Sequence, residues 1–174
     1  MVGGYRFLEK MHFKYITELV EDEKTKQMVP TIPRLKIEVV FRKYSEAKDL
    51  ATNPEFRTHG LVDSGADTSF IPRQIAEILQ LELREEDKKK SKSASEEFWT
   101  YRTKVHLEIM YKGRRVVVGT VDVSVPEQPA QSSDIQKMVL LGRAGIFEQY
   151  EITFNESSKV VTFKKIHKSK VKRF

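Results

Sequence analysis

The stretch Leu61-Val62-Asp63-Ser64-Gly65-Ala66-Asp67-Thr68-Ser69-Phe70-Ile71-Pro72 is the most informative part of this chain. Two apolar residues lead into an Asp-Ser-Gly turn, and a helix-like segment follows Pro72. Glycine permits close backbone approach and unusual dihedral angles, which turns beside ligands often require. The stretch therefore predicts a carboxylate held at the rigid end of a strand.

An acidic side chain in such a turn suggests hydrolysis by a pair of carboxylates. Two carboxylates that share a proton can hydrolyse an amide, because one activates a water while the other donates to the carbonyl oxygen. The sequence holds one Asp-Ser-Gly and no second copy. If the pair exists, the second Asp63 must come from another subunit across a two-fold axis.

Several segments alternate apolar and polar residues with period two, which predicts half-buried strands and a mostly β chain. A hairpin turn is predicted around Tyr111 to Arg114, leading into a valine-rich strand from Val116 to Val125. The apolar positions of the two clearest alternating segments are Leu35, Ile37, Val39 and Phe41, and Val105, Leu107 and Ile109.

Apolar residues recur with helical spacing in one short stretch after Pro72. Proline is suited to the first turn of a helix. A second helical turn is predicted after Gly142, whereas the polar segment from Glu85 to Glu97 is expected to be a mobile excursion. The apolar residues assigned to one face of the first helix are Ile75, Ala76, Ile78 and Leu79.

Length and composition favour one domain with a real core, since the chain has 174 residues and an ordinary apolar fraction. It has no cysteine, which excludes disulfides, thiolate metal sites and cysteine nucleophiles. No apolar run is long enough to cross a bilayer, and we expect a soluble cytoplasmic protein with no membrane partner.

The net charge of +6 is concentrated at the C-terminal end of the chain. Six basic residues lie after Phe163, and without them the basic residues equal the 25 acidic residues in number. A basic tail is usually a solvated end of the chain. Nucleic-acid binding is therefore not favoured, and it has only this tail to support it.

Four stretches of the sequence resemble, in the same order, those of a known protein family. They are Leu61 to Asp67, Phe98 to Val125, Leu140-Leu141-Gly142-Arg143 and Ile152 to Asn155. On these, the sequence resembles the retropepsin-like family, the single-domain dimeric relatives of retroviral proteases, over roughly Arg34 to Lys165.

The resemblance implies an all-β fold: a closed acid-protease barrel with one short helix, a flap hairpin and an active site at a two-fold dimer axis. It places the protease domain at residues 31–166. Residues 1–30 are then an N-terminal extension and residues 167–174 a basic C-terminal tail.

The resemblance also implies roles for residues of the Asp-Ser-Gly loop. Asp63 corresponds to the catalytic aspartate, and Ser64 to the hydroxyl residue that grips its symmetry mate. Gly65 corresponds to the glycine whose carbonyl meets the substrate backbone. Asp67 resembles the acid that helps to hold the substrate main chain, and Arg143 the arginine that pairs with this acid.

Outside the loop, the family implies a flap and a supporting strand. Residues from Glu85 to Thr103 would form a flap that closes over bound peptide, with Phe98 or Trp99 facing the cleft as substrate-binding residues. Gly142 would end the strand that crosses behind the catalytic loop. Lys88 to Trp99 contains no glycine, whereas the flaps of retroviral relatives are glycine-rich.

The functional hypothesis is a homodimeric aspartic endopeptidase acting on peptides or unfolded protein, with no cofactor. No metal is expected, since His12, His59, His106 and His167 lack ligand-like spacing. The alternative is a catalytically weak or inactive binding or assembly module with the same dimeric fold, which the glycine-free flap favours. A third possibility is recruitment to a polyanion by the tail.

Overall fold

The computed structural model describes residues 10–22, 24–31, 34–45, 53–92, 97–128 and 138–166, so the predicted basic tail lies outside the described residues. Nearly every regular element in these ranges is a strand, which confirms the all-β prediction. In chain order the elements are β1 (Lys10–Lys14), β2 (Leu19–Glu21), β3 (Met28–Pro30), β4 (Lys36–Lys43), β5 (Glu55–Val62), β6 (Ser69–Phe70), α1 (Arg73–Ile78), β7 (Lys88–Lys92), β8 (Glu97–Tyr111), β9 (Arg114–Pro126), β10 (Val139–Leu141), β11 (Tyr150–Asn155) and β12 (Val160–Lys165).

Six strands close into a mixed barrel. Their order is β4-β5-β10-β6-β9-β8, and the pairing of β4 with β8 closes the ring. β10 is parallel to β5 and antiparallel to β6, so it lies between the two strands that flank the Asp-Ser-Gly loop. This closed barrel confirms the predicted architecture and agrees with the fold that the family resemblance implies.

The barrel core is built from the alternating residues that the sequence predicts. All four apolar positions assigned to the first alternating segment are buried, and so are Val105, Leu107 and Ile109 on β8. Period-two alternation places these side chains on the inner face of each strand. Val40, on the opposite face of β4, is also fully buried.

The helix α1 follows Pro72, as predicted, and covers one end of the barrel. Ile75, Ala76 and Leu79 are buried. The prediction for Ile78 is wrong, because its side chain is half exposed. A helix of six residues makes fewer than two turns, and only one narrow stripe reaches the core. No helix in the described part of the chain is long and apolar enough to span a membrane.

A second sheet, of order β1-β12-β11, packs beside the barrel. β1 belongs to the segment expected to be an N-terminal extension, and it pairs with β12 from Lys10 opposite Lys164 to Lys14 opposite Val160. Met11 on β1 is fully buried within the main core. Residues 10–14, within the expected extension, therefore contribute to the packed body.

The expected flap region forms a hairpin. β7 pairs with the beginning of β8, from Lys88 opposite Tyr101 to Lys92 opposite Glu97. Residues 93–96, at the connection, lie outside the described residues. The segment that was expected to be a mobile excursion thus contains a regular strand, because β8 supplies a hydrogen-bonding edge that the local sequence does not reveal.

Candidate active site

Asp63 directly follows the last residue of β5. Its backbone N–H donates to the carbonyl oxygen of Leu141, the last residue of β10, over 3.1 Å. Leu141 in turn pairs with Val62 in the parallel ladder. The half-buried Asp63 is therefore attached to two neighbouring barrel strands at the point where both end.

The Asp-Ser-Gly turn orients the carboxylate of Asp63. The Gly65 N–H donates to Asp63 Oδ1 over 2.8 Å, and the Ala66 N–H donates to the Asp63 carbonyl oxygen over 3.3 Å. A Cβ on Gly65 would lie 3.2 Å from the same Oδ1, tighter than ordinary contact. The glycine thus lets its own N–H reach the carboxylate without crowding it.

The segment after β10 supports the loop from behind. The Gly142 N–H donates to Ser69 Oγ over 3.1 Å. The N–H groups of Arg143 and Ala144 donate to the carbonyl oxygens of Ala66 and Asp67 over 2.8 and 2.9 Å. Three consecutive amides therefore hold the Asp63 loop, which explains why an apolar-apolar-Gly run far along the chain accompanies an Asp-Ser-Gly turn.

The space around position 142 admits only glycine. A Cβ at this position would lie 2.5 Å from the Thr68 carbonyl carbon and 2.9 Å from the Ala66 oxygen, distances that real Cβ atoms do not show. The two backbones can approach so closely only when one of them carries no side chain. The glycine thus sets the position of the loop against β10.

Asp67 and Arg143 form an ion pair in which Arg143 Nη2 donates to Asp67 Oδ1. Both side chains are largely exposed. Exposed ion pairs contribute little to stability, typically about 0–1 kcal/mol. The pair therefore leaves its charged groups accessible, with Asp67 in the same loop as Asp63.

A hydrogen bond that no local sequence pattern predicts joins the strand β8 to the Asp63 loop. Arg102 Nη1, from β8, donates to Thr68 Oγ1 over 2.6 Å. Within the described residues, Arg102 Nε is buried and has no hydrogen-bond partner, so the guanidinium is held by packing and by this one contact. Arg102 therefore couples the position of the flap base to that of the loop.

Phe98 and Trp99 project from opposite faces of β8, as consecutive strand residues must. The Phe98 ring meets Phe70 edge-on, with 6.2 Å between centroids, and Phe70 follows the Asp63 loop in the chain. The Trp99 ring is half exposed and has the Lys88 ammonium 5.6 Å from its centroid. Of the two aromatic residues considered for the wall of the cleft, Phe98 is on the loop side.

The base of the flap hairpin is fixed by a polar cluster. Lys88 Nζ donates to the carboxylate of Glu127, and this bond raises the pKa of Lys88. The Tyr101 hydroxyl donates to Glu85 over 2.7 Å, which raises the pKa of Tyr101 and lowers that of Glu85. The Glu127 N–H also donates to the Trp99 carbonyl oxygen over 2.9 Å. These bonds hold the base of the hairpin in place.

The structure thus brings together most of the residues singled out from the sequence. The Asp63 loop and the segment after β10 meet in one place and include Asp63, Ser64, Gly65, Asp67, Gly142 and Arg143. Trp99 stands apart from this group. Sequence reasoning missed the contributions of Thr68, Ser69 and Arg102.

The chain is similar to the solved structures of two proteases. The EIAV protease complexed with the inhibitor HBY-793 is 19% identical, covers 63% of this chain and 82% of its own, and gives a TM-score of 0.36. A retropepsin-like aspartic protease from Rickettsia conorii is 12% identical, covers 88% of this chain and 96% of its own, and gives a TM-score of 0.47.

No family model matches the chain, and no curated protein matches it. Identity to both solved structures is low.

Proposed function

We propose that this chain is an aspartic endopeptidase that works as a homodimer with one Asp63 in each subunit. The observation that carries the proposal is the placement of Asp63. It follows a barrel strand, its N–H is bonded to Leu141, and its carboxylate is oriented by the Gly65 N–H. A catalytic carboxylate must be held in this way if its distance to a second carboxylate is to be fixed.

The chemistry needs two such groups, and a second subunit supplies the other. Across a two-fold axis the two Asp63 carboxyl groups share one proton. The ionised group takes a proton from a water, the water oxygen adds to the peptide carbonyl carbon, and the protonated group donates to the carbonyl oxygen. The protonated carboxyl group then donates its proton to the leaving nitrogen, and the other carboxylate takes a proton from a hydroxyl of the tetrahedral intermediate. The C–N bond breaks, a carboxylic acid and an amine leave, and one proton remains on the pair.

The neighbours of Asp63 support this arrangement. Ser64 is exposed beside the catalytic acid, where its hydroxyl is available to the loop of a second copy. Ser64 then fixes the separation of the two carboxylates by bonding across the axis. Gly65 is also exposed and leaves room for a substrate backbone to approach.

The substrate in this proposal is an extended peptide or a segment of unfolded protein. Extended peptides bind by adding main-chain hydrogen bonds like an extra strand. The exposed pair of Asp67 and Arg143 would hold the main chain next to Asp63, and the flap hairpin would cover it. Phe98, packed on Phe70, would contribute an apolar wall on the loop side.

A second candidate function is a dimeric binding or assembly module with little catalysis. The observation that favours it is the flap, because Lys88 to Trp99 contains no glycine and its base is fixed by the Lys88 to Glu127 ion pair. A stiff hairpin would admit and hold a peptide chain without closing on it for hydrolysis. In that case Asp63 serves peptide binding alone.

The experiment that tests the proposal is detection by mass spectrometry of new peptide ends in a diverse mixture of unfolded peptides. Wild type and Asp63→Asn are compared from acid to neutral pH, with Asp122→Asn as the control because Asp122 is an exposed acid on the barrel strand β9. Cleavage by wild type and Asp122→Asn, but not by Asp63→Asn, supports the peptidase. Absence of cleavage by folded, dimeric wild type favours the binding module.

A further inference from the structure

Strands β2 and β3 form a hairpin, the arm. All residues of both strands are exposed. Its apolar side chains lie on both faces. By the cross-strand register, Leu19 and Met28 share one face, and Val20 and Val29 share the other. Their exposed fractions are 61% and 59% on the first face and 44% and 36% on the second. The arm therefore presents apolar surface on either side.

Local hydrogen bonds shape the arm but do not bury these side chains. The Asp22 N–H donates to the Gln27 carbonyl oxygen over 2.9 Å, and the Thr25 N–H donates to Asp22 Oδ1 over 2.7 Å. An isolated two-stranded hairpin is marginally stable in water. Contiguous exposed apolar surface marks protein–protein interaction sites. The arm is therefore suited to docking.

The base of the arm is fixed to the beginning of β4. Ile16 and Arg34 exchange backbone hydrogen bonds of 2.8 and 2.9 Å. Lys36 Nζ lies 2.6 Å from the carboxylate of Glu18, the residue just before β2. These contacts give the arm a defined origin on the body.

This origin lies beside the catalytic loop. Lys36 is opposite Leu61 in the ladder between β4 and β5, and the Val62 N–H donates to the Leu35 carbonyl oxygen over 2.9 Å. Asp63 is the next residue after Val62. The arm therefore leaves the body at the end of the barrel where a second Asp63 would have to arrive.

We propose that the arm docks on a second copy of this chain and forms part of the homodimer interface. The inference rests on the proposed function, which requires a second Asp63 because the sequence holds one Asp-Ser-Gly. A second copy is the occupant because it must meet this end of the barrel. Two-fold symmetry makes each arm contact occur twice, so a small arm contributes two patches to one interface.

The acceptor on the second copy is a groove between β5 and α1. It has a volume of about 420 Å³, and its lining is mixed. Phe56, Leu61, Pro72, Ile75 and Val139 supply apolar surface, and the polar residues of the lining are Lys36, Thr58, His59 and Gln74. Because Leu61 lies opposite Lys36, the groove begins next to the base of the arm. Leu19 and Met28 would pack on the apolar part of this lining.

The first test measures the dimer dissociation constant by sedimentation equilibrium. Leu19→Ser/Met28→Ser removes the apolar character of one arm face and keeps the Val20 to Val29 pair. We expect it to raise the dissociation constant about tenfold or more. Val117→Ser is the matched control, since Val117 on β9 is 39% exposed, and it should leave the constant nearly unchanged.

The second test keeps the arm folded. A photoreactive amino acid is placed at position 28 in unlabelled protein, which is mixed with ¹⁵N-labelled wild type and illuminated. We expect a mixed-isotope crosslink between the arm and the peptide that contains residues 56–75. A crosslink to another part of the second copy would overturn the groove as the acceptor, and crosslinks confined to one chain would overturn docking.

The outcomes separate this inference from the proposed function. A wild type that stays monomeric at every concentration contradicts the homodimer itself, and the arm inference falls with it. A dimer whose dissociation constant is unchanged by Leu19→Ser/Met28→Ser, without intermolecular crosslinks, overturns the arm alone. A raised KM for peptide cleavage with an unchanged dissociation constant would assign the arm to substrate and also overturn docking.

Discussion

The backbone of Gly142 lies directly against that of Thr68, so that a Cβ on Gly142 would lie 2.5 Å from the Thr68 carbonyl carbon and 2.6 Å from its oxygen. This contact joins the end of β10 to the loop that carries Asp63. Any side chain at position 142 must displace one of the two backbones.

Gly142→Ala is therefore expected to destabilise the fold by about 1–3 kcal/mol, the usual cost of overpacking, and to reduce peptide cleavage by displacing the loop. Urea unfolding and the cleavage assay measure the two effects. Gly113→Ala is the control: Gly113 has a φ of +74° and nothing within 4 Å, so alanine there costs about 1 kcal/mol and should spare activity. Equal losses of activity in both variants would contradict the assigned contact.

The hydrogen bond from Arg102 to Thr68 predicts coupling between the flap base and the loop. Arg102→Met and Thr68→Val should each lower kcat/KM, and the double variant should lose little more than either single variant. The coupling energy is expected to be about 0.5–1.5 kcal/mol, as for a typical hydrogen bond. A double-mutant cycle in kcat/KM measures it.

Arg114→Met serves as the control for Arg102→Met, because Arg114 is an exposed arginine at the β8 to β9 turn. It should leave kcat/KM unchanged. Fully additive losses in the Arg102 and Thr68 variants would show that the bond does not connect the two elements.

The exposed pair of Asp67 and Arg143 predicts an effect on binding that exceeds the effect on stability. Asp67→Asn should change the free energy of unfolding by no more than about 1 kcal/mol, because both partners are largely solvated. If Asp67 holds the substrate main chain, KM should rise while kcat changes less. Steady-state kinetics on one defined peptide, with urea unfolding alongside, separates the two. A large loss of stability with unchanged KM would assign the pair to structure.

The barrel carries an ion-pair cluster whose stabilisation of the fold should decrease at acid pH. Arg115 donates to both carboxylate oxygens of Glu55 over 2.8 and 3.1 Å, and Arg42 pairs with the same carboxylate. The hydrogen bond from Arg115 lowers the pKa of Glu55 below its usual value of 4.5. A lowered pKa in the folded state stabilises the fold at pH values above the unfolded pKa, and this contribution is lost as pH falls through the folded pKa.

Glu55→Gln should therefore reduce the free energy of unfolding at pH 7 by about 0.5–1 kcal/mol, given the partial exposure of Glu55. The difference from wild type should shrink as the pH is lowered beneath 4.5. Urea unfolding at a series of pH values measures it, with Glu151→Gln, in an exposed pair with Lys164, as the control. A difference that grows in acid would contradict the assignment.

The strands of the barrel could be predicted because burial imposes a period of two, and positions such as Ile37 and Val39 show it directly. The loop residues Asp63 to Asp67 could be recognised because the turn chemistry is local. The partner segment at Gly142 was also predictable, since its apolar-apolar-Gly pattern accompanies the loop. In each case, the residues that reveal the feature are neighbours in the sequence.

The remaining features depend on contacts between residues that are distant in sequence. The prediction for Ile78 failed because a short helix buries a narrower stripe than helical periodicity suggests. The strand Lys88–Lys92 has no apolar alternation, and it forms because β8 offers an edge to pair with. The bond between Arg102 and Thr68 joins residues 34 positions apart, and no local pattern signals it.

The measurement that tests the central claim most directly is a subunit-mixing titration. Wild type and Asp63→Asn are mixed at constant total concentration, allowed to exchange subunits, and assayed for peptide cleavage. If each active site needs an Asp63 from both subunits, activity follows the square of the wild-type fraction. Activity proportional to the wild-type fraction would show that one Asp63 acts alone, and would contradict the shared active site.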